Sequence, residues 1–445
     1  MLWPAIPDAD GALLLALLAQ LGESERLAPD VLERRQMEAL RRLLVHAAGS
    51  VSYYRERPAY ADIARNGVLT AELWQRLPIL GRAAVQAAGT ALRSEAMPSE
   101  HGPVNSVATA GSTGSPVKVL GTSVTELFWK VVTLRDMVWH QRDTHLTLAA
   151  IRADPAEQIP AEGLVLPNWA PFLESVSPSG QCVLLAITHD VPAQALWLVD
   201  HRPAYVLSLP SNLLALAEHF LATGAGLPGL RQVWTYGEVV PPELRPACAR
   251  AWGVELVDMY SCQEAGYLAL QCAEAHSYHV QSEVVHLEIL DGTGQPCRPG
   301  EVGRVVVTAL HNYATPLLRY ELGDYAEMGG RCACGRSLPV INRIVGRERN
   351  MWIGPDGLRM WPVFPSAAWQ HISAIRRLQL VQHTVGSIEA RVVGPRMLSG
   401  GEEEDLATQL RRYFPWDFEL TFTYLRGIDR TTAVKFEEFV SLVER

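Results

Sequence analysis

The sequence predicts an α/β protein with a large N-terminal domain of mixed sheets and helices and a small C-terminal α+β domain. From Leu164 onward, short apolar runs alternate with helical segments, a pattern typical of a parallel sheet. From Ser282 the pattern changes to a strand, a turn-rich loop and another strand, which predicts an antiparallel subdomain. The length of 445 residues is also too great for one ordinary domain.

Helices are predicted for the first part of the chain. Apolar residues recur at helical spacing between about Leu13 and Ala88, and Pro78 interrupts that pattern. The segment "TELFWKVVTLRDMVW" predicts a further helix. The runs "CVLLAI", "AYVLSL" and "QVWTYG" predict parallel strands, and "SNLLALAEHFLAT" and "PPELRPACARAW" predict the helices that alternate with them.

The second half contains the other strand patterns. "SEVVHLEIL" (282–290) and "GRVVVTAL" (303–310) predict the antiparallel pair, with the turn-rich "DGTGQP" between them. "RLQLVQHT", "SIEARVV" and "FELTFTYL" predict three C-terminal strands, and "GEEEDLATQLRRYF" predicts a helix with acid at its start and base at its end. A linker near 346–357 divides the chain into predicted domains 1–345 and 346–445.

The composition excludes several classes of protein. Apolar residues make up 48% and charged residues 20%, and the net charge is −9 without a long basic run, which argues against nucleic-acid binding. The apolar run Ala12–Leu21 is half the length of a membrane span and lacks the charged start of a signal peptide. Seven cysteines, an odd number, argue against a disulfide framework. We therefore expect a cytoplasmic protein without a membrane partner, and we leave open whether it forms a homodimer.

The stretch "TAGSTGSPVK" (Thr109–Lys118) predicts a phosphate-binding loop. Its glycines allow close approach of the backbone, and its hydroxyl and amide groups are suited to phosphate oxygens. The Walker spacing needs Gly-Lys-Ser/Thr after four residues, but Pro116 stands where the second glycine should follow Gly111. A P-loop NTPase is therefore excluded.

Three further segments could supply the other groups that a nucleoside triphosphate needs. "VDMYSCQEAG" places Glu264 just after an apolar strand, "PLLRYELGDYAEM" places Arg319 and Asp324 around a glycine, and "RIVGRERN" is a basic turn at the domain boundary. Carboxylates can bind Mg²⁺ and ribose hydroxyls, and cations can stabilise charge in a transition state.

These segments resemble the motifs of adenylate-forming enzymes, in the branch of the phenylacetate–CoA ligases and coenzyme F390 synthetases. "TAGSTGSP" resembles the phosphate loop of that family, "WTYGE" its adenine motif, "MYSCQEAG" its Tyr…Glu motif and "RYELGD" its ribose motif. "GRERN" resembles the hinge, and "RTTAVKFEEF" the segment with the catalytic lysine. The motifs occur in the family's order from about Ser106 to Phe439, and the helical start also resembles this branch.

The resemblance implies a two-step reaction. ATP and a carboxylic acid, expected to be aromatic, give an acyl-adenylate and pyrophosphate, and coenzyme A then displaces AMP to give a thioester. Glu264 would bind Mg²⁺, Lys435 would stabilise charge at the α-phosphate, and Arg347 would act at the hinge of a mobile C-terminal lid. The implied ATP-binding residues are Thr109, Gly111, Ser112, Thr113, Gly114, Gly237, Glu238, Tyr260, Ser261, Arg319 and Asp324. Tyr236 and Gly266 would line the acid pocket, and Trp129 and Trp139 are expected to line the core or a groove.

Two positions depart from the family pattern and leave alternatives open. Ser115 stands where the family commonly has Lys, and Val434 stands where it has Gly before the catalytic lysine. One alternative is a ligase that passes the adenylate to an amine, a hydroxyl or a carrier thiol. Another is a nucleotide-binding module without turnover.

A cysteine–histidine cluster predicts a structural zinc site. "QCAEAHSYHV" contains Cys272, His276 and His279, and "RCACGR" contains Cys332 and Cys334. Three thiolates and one imidazole suit tetrahedral zinc, and the F390 synthetase-like branch has a similar set in this region. The expected ligands are Cys272, His279, Cys332 and Cys334, with His276 as the alternative to His279.

Overall fold

The first part of the chain is a layer of helices. The computed structural model describes residues 6–108, 117–154, 158–347, 351–357, 359–360, 369, 371–375, 377–412, 416–425 and 439–443. The helices of this layer are α1 (Ala9–Ser24), α2 (Pro29–Ser50), α3 (Ser52–Arg55), α4 (Pro58–Asn66), α5 (Ala71–Gln75) and α6 (Arg82–Ala88). The Asp8 carboxylate accepts a hydrogen bond from the Gly11 backbone N–H at 2.8 Å and caps α1. The predicted helical start is therefore present, in shorter pieces.

A hairpin and a long helix follow this layer. Strands β1 (Val104–Ala108) and β2 (Lys118–Thr122) are antiparallel, with Ala108 opposite Lys118. The predicted phosphate loop lies between them and outside the described residues. Helix α7 (Ser123–Trp139) begins at a capping box formed by Thr122 and Thr125, which fixes its first turn directly after β2.

Twelve strands of the described chain form one large sheet. They are β3 (Leu148–Arg152), β4 (Leu164–Leu166), β5 (Cys182–Ala186), β6 (Tyr205–Ser208), β7 (Gln232–Tyr236), β8 (Glu255–Cys262), β9 (Gly266–Gln271), β10 (Tyr278–Val280), β11 (Val285–Leu290), β12 (Val302–Ala309), β13 (Tyr320–Met328) and β14 (Val340–Arg347). Their order across the sheet is β11-β12-β13-β14-β10-β9-β8-β7-β6-β3-β5-β4.

Both predicted strand patterns occur in this one sheet. β5, β3, β6, β7 and β8 pair in parallel, as the alternation of strands and helices predicts. From β8 to β11 every neighbouring pair is antiparallel. The antiparallel strands therefore extend the parallel sheet rather than forming a sheet of their own. The α/β fold class predicted from the sequence is confirmed.

The parallel part of the sheet is covered on both faces. Side chains alternate along β3, so Leu148 and Ala150 join the core under α1, α2 and α7, whereas Ala149 and Ile151 face the other layer. That second layer consists of α9 (Val191–His201), α10 (Pro210–Thr223) and α11 (Leu244–Trp252), and a one-turn helix, α8 (Pro171–Glu174), follows β4. None of the helices in the described chain is long and apolar enough to cross a membrane.

The C-terminal part has a sheet and a buried cluster of its own. β15 (Trp352–Ile353) pairs with β16 (Arg359–Met360), and helix α12 (Gly400–Arg411) begins at a capping box of Ser399 and Glu402. A four-stranded sheet has the order β19-β18-β17-β20, formed by β17 (Arg377–Thr384), β18 (Ser387–Val393), β19 (Glu419–Leu425) and β20 (Phe439–Ser441). These elements match the predicted α+β pattern, and a separate buried cluster lies around Trp352. The predicted division at 345/346 stays a prediction, since β14 of the large sheet extends to Arg347.

Candidate active site and metal-binding cluster

Three residues from separate predicted motifs meet through direct hydrogen bonds, where the C-terminal parts of β8 and β14 approach the middle of β13. The Tyr260 hydroxyl donates to Asp324 Oδ2 at 2.8 Å, and Arg347 Nε donates to Asp324 Oδ1 at 3.2 Å. Asp324 lies opposite Arg347 in the β13–β14 register. Burial, together with the neighbouring Asp324 charge, raises the pKa of Tyr260 well above its ordinary value. Tyr260 is therefore a neutral hydrogen-bond donor to a carboxylate that is still partly exposed to solvent.

Glu264 lies in the turn between β8 and β9 and is largely shielded from solvent. Its side chain is 11% exposed, and its carboxylate lies 3.9 Å from Arg82 Nη1 at the start of α6. Burial, reinforced by the Glu264 charge, raises the pKa of Tyr320 to about 12 and that of the Cys262 thiol well above its ordinary value. A carboxylate in this position can bind a cation, and Arg82 is the cation next to it.

The residues after β7 take up a tight turn. Gly237 has φ 79°, a conformation that favours glycine. The Glu238 carboxylate accepts a hydrogen bond from the Ser211 backbone N–H at 3.0 Å, at the N-terminal end of α10. Tyr236 is half-buried, and burial raises its pKa. This carboxylate oxygen therefore stabilises the start of α10, and the expected role of Glu238 in ATP binding stays a prediction.

Ser261 on β8 and Gly266 on β9 are the two other predicted site residues of this region. Ser261 pairs with Tyr267, and Cys262 pairs with Gly266, so the four residues bracket the turn that carries Glu264. Gly266 has φ 76°, which lets β9 start directly after that turn. The structure thus places Ser261 and Gly266 next to Glu264.

Arg319 is not brought to this group, which corrects the sequence-based expectation that it binds ATP. Only 2% of the residue is exposed. Its Nε and Nη2 donate to the two oxygens of Glu288 at 3.1 and 2.9 Å. Its Nη1 donates to the Gln75 and Leu77 carbonyls at 2.6 Å each. The guanidinium therefore holds the segment after α5 against β11, because four of its five N–H groups are used inside the protein.

The remaining predicted catalytic and phosphate-binding residues lie outside the described part of the chain. They are Thr109, Gly111, Ser112, Thr113, Gly114 and Lys435. The described structure fixes only the base of the phosphate loop, where the Leu120 backbone N–H donates to the Thr315 hydroxyl at 3.0 Å. Their roles stay predictions.

The four expected metal ligands come together at the other end of β14. One ligand atom from each of Cys272, His279, Cys332 and Cys334 lies within 4.8 Å of all the others. The Cys272 and Cys332 sulfurs are 3.8 Å apart, and Cys334 Sγ lies 3.2 Å from His279 Nε2. Thiolates 2.3 Å from a tetrahedral zinc would lie roughly 3.8 Å apart. The donor set and its spacing therefore fit zinc.

The two histidine candidates differ in position. His279 is fully buried in β10, and its Nδ1 lies 3.4 Å from the Leu338 carbonyl, which leaves Nε2 directed at the thiols. His276 is exposed and is absent from the group of possible ligands among the described residues. Burial lowers the pKa of His279 to about 4, which keeps the imidazole neutral as a metal ligand must be. The structure therefore favours His279 over His276.

A buried network connects the metal cluster to the N-terminal helices. Arg336 hydrogen-bonds the Cys334 thiol, donates to Glu25 Oε1 at 3.1 Å and lies over the Trp139 ring at 4.3 Å. The Trp139 indole N–H donates to Glu25 Oε2 at 2.9 Å, and the Ser337 backbone N–H donates to the Glu25 carbonyl at 2.8 Å. Glu25 directly follows α1, so the cluster and the α1–α2 connection are parts of one packed unit.

Comparison with known proteins identifies the fold. No protein-family model matches the chain. It is 27% identical over 394 residues to a phenylacetate-coenzyme A ligase of Thermus thermophilus, an alignment that covers 82% of each protein. It is 25% identical over 384 residues to a phenylacetate-coenzyme A ligase of Pseudomonas putida, covering 83% of this chain and 80% of that protein.

Solved structures give the same answer. A 2-hydroxyisobutyryl-CoA ligase in the postadenylation state superposes with a TM-score of 0.69 over 92% of this chain and 89% of that one, at 16% identity. The chain has the fold of the adenylate-forming CoA ligases. A second structure of that enzyme, with 2-HIB-AMP and CoA in the thioesterification state, has a TM-score of 0.61 over 99% of this chain and 94% of that one. The resemblance inferred from the sequence motifs is confirmed.

Within this adenylate-forming CoA ligase fold, the structure adds one residue, Arg82, and the ring contacts of Trp129, which sequence reasoning missed. Arg82 lies opposite Glu264, although it precedes Glu264 by 182 positions and belongs to no recognised motif. Trp129 packs beside Phe172 and Tyr267, with ring centroids 6.3 and 6.0 Å away. No local signal could have found these pairings, because each joins elements that are distant in the sequence.

Proposed function

We propose that this protein is an ATP-dependent acid–thiol ligase that forms AMP and an acyl- or aryl-CoA thioester. The observation that carries the proposal is the hydrogen-bonded group of Tyr260, Asp324 and Arg347 beside the Glu264 turn. Residues of three separate motifs converge there, in a chain whose fold is that of the adenylate-forming CoA ligases. Curated relatives of matching length are named phenylacetate-coenzyme A ligase, which supports an aromatic acid as substrate.

In the first step, a carboxylate oxygen of the acid attacks the α-phosphorus of ATP. The bond between the α-phosphorus and its bridging oxygen to the β-phosphate breaks, and pyrophosphate leaves. Asp324, held by the Tyr260 hydroxyl and by Arg347, would accept hydrogen bonds from the ribose hydroxyls. The backbone and hydroxyl groups of Thr109–Gly114 would hold the phosphates, and Lys435 would stabilise the charge that develops at the α-phosphate.

A divalent cation fits beside Glu264. Mg²⁺ prefers carboxylate oxygens and would neutralise phosphate charge there when bound with ATP. The Arg82 guanidinium, 3.9 Å from the carboxylate, already compensates its charge. We infer that Glu264 would give up this long contact for the nucleotide-bound cation, and that Arg82 would then stabilise charge on the leaving pyrophosphate.

In the second step, the thiol of coenzyme A attacks the acyl carbon of the adenylate. The bond between that carbon and the phosphate oxygen breaks, AMP leaves, and the thiol proton is released. Cys262 lies close to Glu264, but burial raises the pKa of its thiol well above the ordinary value. Cys262 therefore stays protonated and serves as a packing residue. The sulfur that receives the acyl group is that of coenzyme A. The C-terminal part, beyond the hinge at Arg347, would move between the two steps.

The cysteine–histidine cluster is proposed to hold a structural zinc ion. All four positions of a tetrahedral site are filled by protein atoms within 4.8 Å of one another, which leaves no position for substrate.

The test is ATP–pyrophosphate exchange with a panel of aromatic and aliphatic acids. We expect exchange with an aromatic acid, and thioester formation once coenzyme A is added. Glu264→Gln should abolish exchange, whereas the control Glu255→Gln, at the exposed opposite end of β8, should leave the rate unchanged. If the protein binds nucleotide but supports exchange with none of the acids, the proposed ligase activity is refuted. Exchange without thioester would point to an amine, hydroxyl or carrier acceptor.

A further inference from the structure

An aromatic wall, formed by Trp129, Phe172 and Tyr267, lies near the carboxyl end of β8 beside the proposed adenylation site. Trp129 of α7 is 47% exposed, although it packs between Phe172 of α8 and Tyr267 of β9. The Thr133 hydroxyl lies 3.2 Å from the Tyr267 hydroxyl and fixes that ring in place. An exposed tryptophan in such a cluster is a surface on which a flat apolar group can stack. The Glu264 turn directly precedes Tyr267, so the wall adjoins the site.

Arg152 lies at the same edge of the sheet. It is the last residue of β3, and the carboxyl ends of parallel strands border the crevice in which α/β proteins bind ligands. The register aligns Ala150 with Leu207 of β6, and Leu207 with Trp234 of β7. Two residues further on, Arg152 is therefore level with Tyr236. Two strand spacings separate β3 from β7, about 10 Å.

Arg152 also belongs to the face of the sheet that carries the aromatic wall. Side chains alternate along β3, and Leu148 and Ala150 lie in the core that includes Trp234 and contacts Phe172. Arg152 continues that series. Burial raises the pKa of Tyr236 and raises that of Cys182 to about 11, and in both cases the Arg152 charge is the largest opposing influence. Tyr236 and Cys182 both lie on the face of the sheet that carries Trp234. The Arg152 guanidinium is therefore on that face too.

The carboxylates near Arg152 are engaged with backbone groups. Asp154 accepts a hydrogen bond from the Ile159 backbone N–H at 2.6 Å, and Glu238 accepts one from the Ser211 backbone N–H at 3.0 Å. Among the residues that the structure describes, Arg152 takes part in no ion pair, and it is exposed. An exposed arginine without an ion-pair partner is suited to bind a carboxylate through two parallel hydrogen bonds.

We propose that Arg152 binds a second acidic group at the far end of the substrate, so that the preferred acid is an aromatic dicarboxylic acid. One carboxylate would enter the adenylation site near Glu264, the ring would stack on the wall at Trp129, and the second carboxylate would pair with Arg152. This inference rests on the proposed function and specifies its substrate class. Arg152 would be a specificity-determining residue without a part in bond making.

The test compares matched acids in the exchange and thioester assays: phenylacetate with 4-carboxyphenylacetate, and benzoate with isophthalate and terephthalate. We expect one of the diacids to have a kcat/KM at least about tenfold above that of its monoacid partner. Arg152→Met should lower kcat/KM for that diacid by about ten- to one-hundredfold, mainly through KM, and leave the monoacid nearly unchanged. Arg152→Lys should recover part of the loss.

Arg231→Met provides the control, because Arg231 precedes the opposite, amino end of β7 and forms an exposed pair with Asp143. This control should behave like the wild type with both kinds of acid. Preference for monoacids, or an equal effect of Arg152→Met on both kinds, would overturn the proposal while leaving the ligase activity established. Failure of every acid to support exchange would instead refute the ligase and this inference with it.

Discussion

At the scale of single residues, Asp324 is the acceptor on which the proposed nucleotide site depends. Tyr260 and Arg347 approach its two oxygens from different strands, so the carboxylate is oriented before a nucleotide arrives. Preorganisation of this kind reduces the entropy that binding must overcome. The hydroxyl of Tyr260 stays protonated because burial and the neighbouring carboxylate raise its pKa well above the ordinary value.

Asp324→Asn should therefore weaken ATP binding without unfolding the protein. Loss of the charged acceptor removes an interaction worth about 1.5–3 kcal/mol, or about ten- to one-hundredfold in KM for ATP. Tyr260→Phe should act in the same direction with a smaller effect, because it removes one of the two donors. ATP titration in the exchange assay measures both, and Asp62→Asn, on exposed α4, is the control. An unchanged KM in the Asp324 variant would exclude its role in ribose binding.

Arg319 should behave as a structural residue. Arg319→Met leaves the Glu288 carboxylate buried without its partner and should lower the free energy of unfolding by about 3–5 kcal/mol. The double variant Arg319→Met/Glu288→Gln should recover part of that loss. Urea unfolding gives the stability, and KM for ATP in the folded fraction should stay at the wild-type value. A large increase in KM with normal stability would restore Arg319 to the nucleotide site.

The site residues differ in how far sequence could predict them. Tyr260, Asp324 and Arg347 lie in motifs whose order is informative, and the structure brings them together. Arg319 lies in the same motif as Asp324, but the two side chains have different environments, and sequence does not state where a side chain points. Arg82 and Arg152 belong to no motif, and only the assembly of distant strands and helices places Arg82 beside Glu264 and Arg152 level with Tyr236.

At the scale of elements, the cysteine–histidine cluster is linked through Arg336 to the connection between α1 and α2. Glu25 receives hydrogen bonds from Arg336, Ser337 and Trp139, and Arg135 donates to the Leu21 carbonyl at 2.5 Å. Arg26 follows Glu25 and is exposed, so a trypsin cleavage site lies directly after the buried Glu25. The stability of that connection should depend on the cluster.

Cys332→Ser should release zinc and expose the connection between α1 and α2. We expect loss of one zinc ion per chain by metal analysis, a lower melting temperature, and trypsin cleavage after Arg26 that is roughly ten times faster. Cys297→Ser, which alters a buried thiol outside the cluster, should keep its zinc. Zinc loss without faster cleavage would show that the network around Glu25 stands without the metal.

Local patterns were sufficient to predict the strands and helices, but not their assembly. The runs at β5, β6 and β7 predict parallel strands, and those at β11 and β12 predict an antiparallel pair, as observed. Neither pattern predicts that the parallel and the antiparallel strands belong to one sheet. The contact between Glu25 and Arg336 joins residues 311 positions apart, a distance at which sequence periodicity carries no information.

At the scale of the whole molecule, buried histidines make stability depend on pH. Burial lowers the pKa of His46, His101, His140 and His286, and lowers that of His311 to about 4. Below about pH 6.5 the unfolded chain therefore binds more protons than the folded chain. The contribution of these neutral histidines to the free energy of unfolding is full above that pH and is lost as the pH falls. Asp258 acts in the opposite sense, because burial raises its pKa to about 6.

The melting temperature should therefore fall between pH 6.5 and 5, with the histidines outweighing Asp258. His311 alone contributes about 2 kcal/mol of that loss at pH 5. His311→Gln should give a shallower fall, and its stability at pH 7.5 should be lower because the variant loses the stacking of His311 on Phe128. Thermal unfolding at constant ionic strength checks both slopes. Equal slopes for the two proteins would exclude His311 as a source of the pH dependence.

Strand β14 links two chemically different ends of the molecule. At Val340 it pairs with His279 of the metal cluster, and at Arg347 it pairs with Asp324. The seven steps between them span about 23 Å of extended chain. β14 is hydrogen-bonded to β10 near the cluster and to β13 near Arg347, so movement of the C-terminal part at Arg347 would reach the cysteine–histidine cluster through these three strands. Loss of the proposed zinc ion should then slow the alternation between the two proposed steps before it weakens ATP binding.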